Sequence, residues 1–320
     1  MPAPFASSDR FPPSLPMSRA QFLHLAAASA AGLILGTPAA AADGVPSSAM
    51  RTRPIPATGE ALPVIGCGTY VGFDVAPGSA EYQRLPGVLQ ALFGAGGAVI
   101  DSSPMYGRAE TVTGELLAAA GSHGKAFLAT KVWTHGRAEG IRQMEESLRR
   151  LRVERLDLMQ IHNLLDWQTH LATLRDWKAA GRVRYLGVTH YTAGAYDALE
   201  AVMRAETLDF VQINYSADER EAERRILPLA AERGMAVIIN RPFGGGGLLR
   251  RLRDRPLPAW AAEIGATSWA QVLLKFVLSH PAVTCAIPGT SRPEHMADNA
   301  LAGTGTIPER SFWERHRIDF

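Results

Sequence analysis

Cysteine is nearly absent: Cys67 and Cys285 are the two in 320 residues. That excludes a disulfide framework and any metal cluster built from thiolates, and leaves at most one bridge between the pair. Long hydrophobic runs are missing too, and the apolar stretch near the N-terminus is too short to span a bilayer comfortably. Neither sign of charge dominates: 33 Lys and Arg stand against 31 Asp and Glu, a formal net charge of +2. Arginine runs such as Arg149, Arg150 and Arg152, or Arg250, Arg251, Arg253 and Arg255, read more simply as solvated helix faces than as a nucleic-acid footprint. No G-x-G-x-x-G follows a strand-like segment, and H-E-x-x-H does not occur. The expected partners therefore include no nucleic acid and no stable membrane anchor.

What the chain does have is apolar material for one large core, 47% hydrophobic residues against 20% charged. The first 42 residues stand apart from it. Arg19 supplies a positive region, Leu23 to Leu35 an alanine-rich apolar stretch, and Ala40-Ala41-Ala42 a small-residue cleavage site. This is the layout of a secretory signal. The string Ser-Arg-Ala-Gln-Phe-Leu from Ser18 resembles a twin-arginine leader, with Ala20 in the place of the second arginine. Residues 1–42 are read as a disordered extension and export signal, with Met17 as an alternative start. Residues 43–60 are read as a linker of Pro, Ser, Ala and Thr without apolar rhythm. The expected destination is the periplasm, by way of export machinery, or the cytoplasm if the leader is not used.

From residue 61 to 320 one pattern repeats. Short apolar runs recur at Pro63–Gly66, Ala98–Asp101, Ala126–Lys131, Leu156–His162, Val183–Val188, Leu208–Ile213, Met235–Asn240 and Val283–Pro288. Continuous apolar runs bounded by polar turns suit strands buried on both faces, as a parallel sheet requires. Helical spacing lies between them: Tyr82, Leu85, Leu89 and Leu92, then Ile141, Met144, Leu148 and Leu151. Tyr196, Leu199 and Met203 continue it, as do Trp269, Val272, Phe276 and Val277. Gly181 and Gly234 read as helix C-terminal caps. Eight alternations over about 250 residues predict an α/β fold, a single-domain (β/α)8 TIM barrel, rather than an open doubly wound sheet.

In such barrels chemistry sits where strands end. The second run ends at Asp101 and leads to Tyr106, the third ends at Lys131, and the fourth at His162. Each alone has an ordinary reading as a cap, a packing residue, a solvated cation or a structural histidine. Together they are harder to dismiss, because a lysine closing a buried apolar strand needs a counter-charge, and Asp101 on the adjacent strand can supply it. A phenol has an unperturbed pKa of about 10. A neighbouring ammonium is expected to lower it and make Tyr106 a proton donor to a carbonyl oxygen that His162 orients. None of these residues can supply hydride, so the chemistry needs a nicotinamide cofactor.

These segments, IDSSPMYG, ATKVW, QIHN, GVTHY, VQINYS and IPGTSRPEHMADN in that order, resemble the aldo-keto reductase family from about Gly66 to Asn299. The resemblance implies catalytic roles for Asp101, Tyr106, Lys131 and His162, and reduction of aldehydes and ketones, or the reverse. NADPH is the implied cofactor, with NADH also open. It further implies cofactor contacts at Thr69, Thr189, His190, Gln212, Asn240, Phe243 and Gly245, and at Thr290, Ser291, Arg292, His295, Asp298 and Asn299. The chain departs from the family at several of these. His190 stands where relatives carry Asn, and Asn240 where many carry an aromatic that stacks on the nicotinamide. Gly289 and His295 replace two cations near the 2′-phosphate, leaving Arg292. Tyr70, Phe73 and Trp133 are expected to line an apolar pocket for a small carbonyl substrate. With no long C-terminal loop after the last helix, that pocket is expected to be open and permissive.

Cys67 and Cys285 fall on the first and last strands, neighbours in a closed barrel. Adjacent parallel strands fit disulfide geometry poorly, so buried free thiols are the simpler expectation. Two other functions compete with the reductase reading. One is a nucleotide-binding sensor or regulatory module on the same fold with little turnover. The other, metal-dependent hydrolysis, lacks enough strand-end ligands.

Overall fold

The structure, a computed structural model, describes residues 49–318. The expected extension and export signal lie outside the described residues. An antiparallel hairpin comes first, β1 (Thr52–Pro54) with β2 (Ala61–Pro63). Then follow β3 (Cys67–Gly68), α1 (Ala80–Gly94), β4 (Val99–Asp101), α2 (Ala109–Ala119), β5 (Phe127–Val132), α3 (Arg137–Leu151), β6 (Leu156–His162) and α4 (Trp167–Ala179). The alternation continues through β7 (Val183–Thr189), α5 (Tyr196–Ala205), β8 (Phe210–Asn214), α6 (Ile226–Glu232) and β9 (Ala236–Asn240). It closes with α7 (Gly247–Leu252), α8 (Trp269–Leu278), β10 (Cys285–Ala286), α9 (Pro293–Leu301) and α10 (Arg310–Arg315).

Strands β3 to β10 form one parallel sheet in sequential order. Parallel bridges from Ile65 to Ala286 and from Gly68 to Gly289 bring its two edges together, completing the (β/α)8 barrel. The period-2 alternation of side chains then sorts each strand. Ile100, Leu128, Val132, Met159, Ile161, Val188, Val211, Ile213, Val237 and Ile239 join the cluster packed under the helices. Val99, Phe127, Ala129, Leu158, Tyr185, Phe210, Ala236 and Ile238 form a second cluster inside the barrel. Gly187 lies on that inner face, and a Cβ there would come within 2.6 Å of the Phe210 carbonyl oxygen. Only glycine fits the space.

The hairpin corrects two boundaries. The first barrel strand is Cys67–Gly68, later than the expected Pro63–Gly66. Much of the expected linker is ordered structure, because Ile55 and Leu62 bury their side chains in the inner cluster. Glu60 and Thr58 of the hairpin turn bond the Tyr185 hydroxyl at 2.7 and 2.8 Å, and Glu60 pairs with Arg184. The hairpin thus closes the end of the barrel where the strands begin. Its prolines and short apolar content hid that role from periodicity.

The cysteines do not form a bridge; both are free and buried. Cys67 packs in the outer cluster and Cys285 in the inner one, so their side chains leave the sheet on opposite faces. Arginines behave as expected on helix surfaces. Arg149 and Arg150 pair with Glu146, and Arg251 pairs with Asp218. No helix among the described residues is long and apolar enough to cross a membrane.

Candidate active site

The inner positions of the strands turn polar toward their C-terminal ends. Asp101 on β4, Lys131 on β5, Gln160 and His162 on β6, Thr189 on β7 and Gln212 on β8 all follow from the same alternation that buries Val99, Phe127 and Leu158 lower down. Lys131 is fully buried. Its Nζ donates to Asp101 Oδ2 at 2.5 Å and to the Ser102 carbonyl at 2.7 Å. The other Asp101 oxygen, Oδ1, accepts from Gln212 Nε2 at 2.8 Å and from Gln160 Nε2 at 3.1 Å. A buried ion pair is tolerable only when its remaining lone pairs and protons are satisfied, and here two glutamines and a carbonyl do that. Burial pulls the Lys131 pKa down, but the Asp101 carboxylate is the main opposing influence, and the ammonium is held above its ordinary value.

The four residues expected to act together are brought together. Lys131 Nζ lies 5.0 Å from the centroid of the Tyr106 ring, and the Tyr106 and His162 rings lie 5.9 Å apart, edge to face. One expectation is corrected. Tyr106 sits above, not below, the ordinary phenol pKa, because burial raises it more than Lys131 lowers it, with Asp101 adding to the rise. His162 is driven the other way, to about 3, by burial first and then by Lys131 and His190. The imidazole is neutral at physiological pH. Its Nδ1 lies 3.1 Å from Ser103 Oγ. Ser103 and Gln160 are members of the site that were not singled out from sequence. Gln160, two residues before His162 on the inner face, was readable from the alternation, and Ser103 was not.

Around the mouth stand exposed apolar side chains. Tyr70 is 64% exposed and contacts Tyr106 at 5.0 Å. Trp133 is 40% exposed and lies 6.4 Å from His162. Phe73 does not join them: it is fully buried in the outer cluster. A turn in which the Phe73 N–H donates to the Thr69 carbonyl folds its ring back under the loop. Tyr191 is a further exposed aromatic, stacked on His190 at 5.5 Å and 5°.

The expected cofactor positions lie at the strand ends and in the segments that follow them. Thr189 and Gln212 are buried, and Thr189 Oγ1 donates to Gln212 Oε1 at 3.3 Å. Asn240 Nδ2 donates to the His190 carbonyl at 3.1 Å, while its Oδ1 is buried with no partner. That orphaned acceptor beside Gln212 and His190 fits a ligand that brings a donor. His190 Nδ1 accepts from the Tyr191 N–H. Thr69 Oγ1 lies within hydrogen-bond distance of the Asp101 carbonyl oxygen, at 3.1 Å, and of Ser102 Oγ, at 2.9 Å, which places it beneath the site. After β9, Phe243 is buried, and Gly244, Gly245 and Gly246 all take positive φ. A Cβ on Gly245 would lie 3.0 Å from the Arg241 guanidinium, and one on Gly246 3.4 Å from Arg250. A Cβ on Gly244 would lie 3.0 Å from Asp218 Oδ1, a carboxylate that Arg251 pairs with. The bare backbone at Gly245 and Gly246, beside Arg241 and Arg250, is therefore the part that suits a phosphate group.

At the end of β10, Thr290 Oγ1 accepts from the Arg292 N–H. Ser291 is half-buried, Arg292 and His295 are exposed, and Asn299 is buried. Asp298 is committed to the fold instead. Its two carboxylate oxygens accept from Ser268 Oγ and Gln271 Nε2, both at 2.6 Å, which ties α9 to the start of α8.

The model of the Aldo/keto reductase family matches residues 64–315. The chain is 32% identical over 260 residues to methylglyoxal reductase YeaE of Escherichia coli, covering 78% of this chain and 89% of that protein. It is 28% identical to morphine 6-dehydrogenase of Pseudomonas putida, over 75% of this chain and 82% of the other. A crystal structure of an aldo/keto reductase from Klebsiella pneumoniae with NADP and acetate superposes with a TM-score of 0.65 at 30% identity, covering 77% of this chain and 87% of that one. A second, from the same organism with NADPH, gives 0.66 at 28%, covering 79% and 89%.

Proposed function

The chain belongs to the aldo/keto reductase family, and from that premise we propose that it reduces aldehydes or ketones to alcohols with NADPH. The observation that carries this is the buried Asp101–Lys131 pair set against Tyr106, with a neutral His162 across from it. The reduced nicotinamide, when bound, supplies the hydride. Thr189, His190, Gln212 and Asn240 would hold the nicotinamide end, where the unpartnered Asn240 Oδ1 offers an acceptor. Gly245 and Gly246 with Arg241 and Arg250 would receive the pyrophosphate, and Arg292 the adenosine end. Arginine grips a phosphate through two N–H groups at once, which favours NADPH over NADH despite Gly289 and His295.

The chain's own part in the chemistry is proton transfer. Tyr106 holds a proton on its hydroxyl at neutral pH, since burial keeps its pKa high. With the Ser103 hydroxyl donating to Nδ1, His162 carries its hydrogen on Nε2 and points it at the substrate carbonyl oxygen. Tyr106 gives its proton to that oxygen as the carbon is reduced. The Lys131 ammonium stabilises the phenolate left behind, and Asp101, fixed by Gln160 and Gln212, keeps Lys131 charged and in place. A general acid of this kind is worth about 10²–10⁴-fold in rate.

The test is oxidation of NADPH, and separately NADH, by residues 43–320 with a panel of aldehydes and ketones, beside a direct measurement of cofactor binding. Turnover with NADPH favoured supports the reading. Saturable binding by a folded protein without turnover of any carbonyl replaces it with the sensor module, for which His190 and Asn240 are the supporting departures.

A further inference from the structure

The loop between β3 and α1 touches the loop that carries Tyr106 in a way the scheme above leaves unused. Helix α2 starts three residues after Tyr106, and its N-cap, Arg108, makes no side-chain capping bond. Another loop supplies an acceptor for the N-cap's own N–H instead. Asp74 Oδ1 accepts from the Arg108 N–H at 2.9 Å, and a carboxylate is the favoured group at the positive end of a helix. Gly107, between Tyr106 and Arg108, has φ +57, and a Cβ there would lie 2.3–2.4 Å from Asp74 Oδ1, Cγ and Oδ2. The carboxylate rests directly on that backbone.

The Asp74 segment is itself tightly held. Val71, a β-branched residue, has φ 62, a conformation that persists only where the surroundings enforce it. A Cβ on Gly72 would sit 3.3 Å from the Thr290 backbone, Phe73 is fully buried, and Tyr70 abuts Tyr106 at 5.0 Å.

We propose that Asp74 is a positioning residue for the proton donor: it caps α2 from the neighbouring loop and fixes the backbone beside Tyr106. Asp74 touches no reacting atom. It acts by holding the phenol where the carbonyl oxygen arrives, and this rests on the reading of Tyr106 as the donor.

The test compares Asp74→Ala and Asp74→Asn in the full chain. Asparagine keeps the oxygen acceptor and loses the charge. The account predicts that Asp74→Ala lowers kcat by about 10–100-fold, the scale of a misplacement near 1 Å, with the NADPH Kd unchanged. Asp74→Asn recovers kcat to within about threefold of the parent by the same argument. A second readout needs no turnover: phenolate absorbance on pH titration, with Tyr106→Phe subtracted to isolate Tyr106. Burial holds this phenol high, so loosening the loop in Asp74→Ala shifts its titration down, and Asp74→Asn does not. A folded Asp74→Ala with parental kcat and parental Tyr106 titration overturns the proposal, as does equal loss in both variants tracking a fall in Tm. If the parent turns over no carbonyl but the Tyr106 titration shifts as expected, Asp74 still fixes the Tyr106 loop, while the reductase reading falls and takes the donor role of Tyr106 with it.

Discussion

The two ends of the barrel are built from the same strands by the same alternation, yet they do opposite things with burial. Where the strands begin, Phe127, Tyr185, Phe210 and Ile238 fill the interior and Ile55 and Leu62 of the hairpin close it. Where they end, the inner positions bury Asp101, Lys131, Gln160, His162 and Gln212. Apolar burial stabilises by about 25 cal/mol per Å2, whereas a buried ion pair rarely repays its desolvation. Stability therefore resides at the closed end. The open end spends part of it to hold one phenol, one ammonium and one neutral imidazole in a fixed relation.

Substitutions can break this division. The largest combined effect is expected from Lys131→Met, which leaves the Asp101 carboxylate buried without its cation. It should lower stability by about 3–5 kcal/mol and kcat by about 100-fold or more, measured by urea unfolding and steady-state rates. Restoring much of the stability but none of the rate by adding Asp101→Asn would separate the two roles. At the closed end, Phe210→Ala should cost about 3–5 kcal/mol through the cavity it opens, with the NADPH Kd unchanged. A large change in cofactor affinity there would mean that the two ends are not independent.

The next effect is on acid stability. His162 and His280 are held at about 3 and about 4, both mainly by burial, against an ordinary 6.5. Below pH 6.5 the unfolded chain takes up protons that the native state refuses, so stability is full above that pH and falls as pH drops toward 3 to 4. His280→Gln should flatten this dependence by up to one proton, read from unfolding free energies across the range. The smallest effect sharpens the picture of the mouth. Val71→Gly removes a β-branched side chain from a left-handed conformation that costs about 1–2 kcal/mol. It should raise Tm slightly; a fall in Tm would show that the valine side chain contributes more than its backbone costs.

The barrel was legible because continuous apolar runs and helical spacing repeat in register with the strands and helices observed. The Asp101–Lys131 pair was legible for a physical reason, a cation ending a buried strand beside a carboxylate on the next. Other features were hidden. The hairpin at Thr52–Pro63 buries only Ile55 and Leu62 in the interior, too few to produce a rhythm. Phe73 looked like a pocket residue because the turn that buries it depends on tertiary contacts. The sign of the Tyr106 shift depended on how far burial outweighs Lys131, which residue types alone do not state. Asp74 is an exposed acid 34 residues from its partner Arg108, and nothing local marks it as a cap.

The central claim is that Tyr106 delivers the proton. Its most direct test is the single-turnover oxidation of bound NADPH by an accepted carbonyl in the parent and in Tyr106→Phe, with NADPH binding measured on both. The account predicts a rate lower by about 100-fold or more in the variant, with equal NADPH Kd and equal Tm. A variant that oxidises NADPH within a few-fold of the parent rate would contradict it and move the proton donor elsewhere in the site.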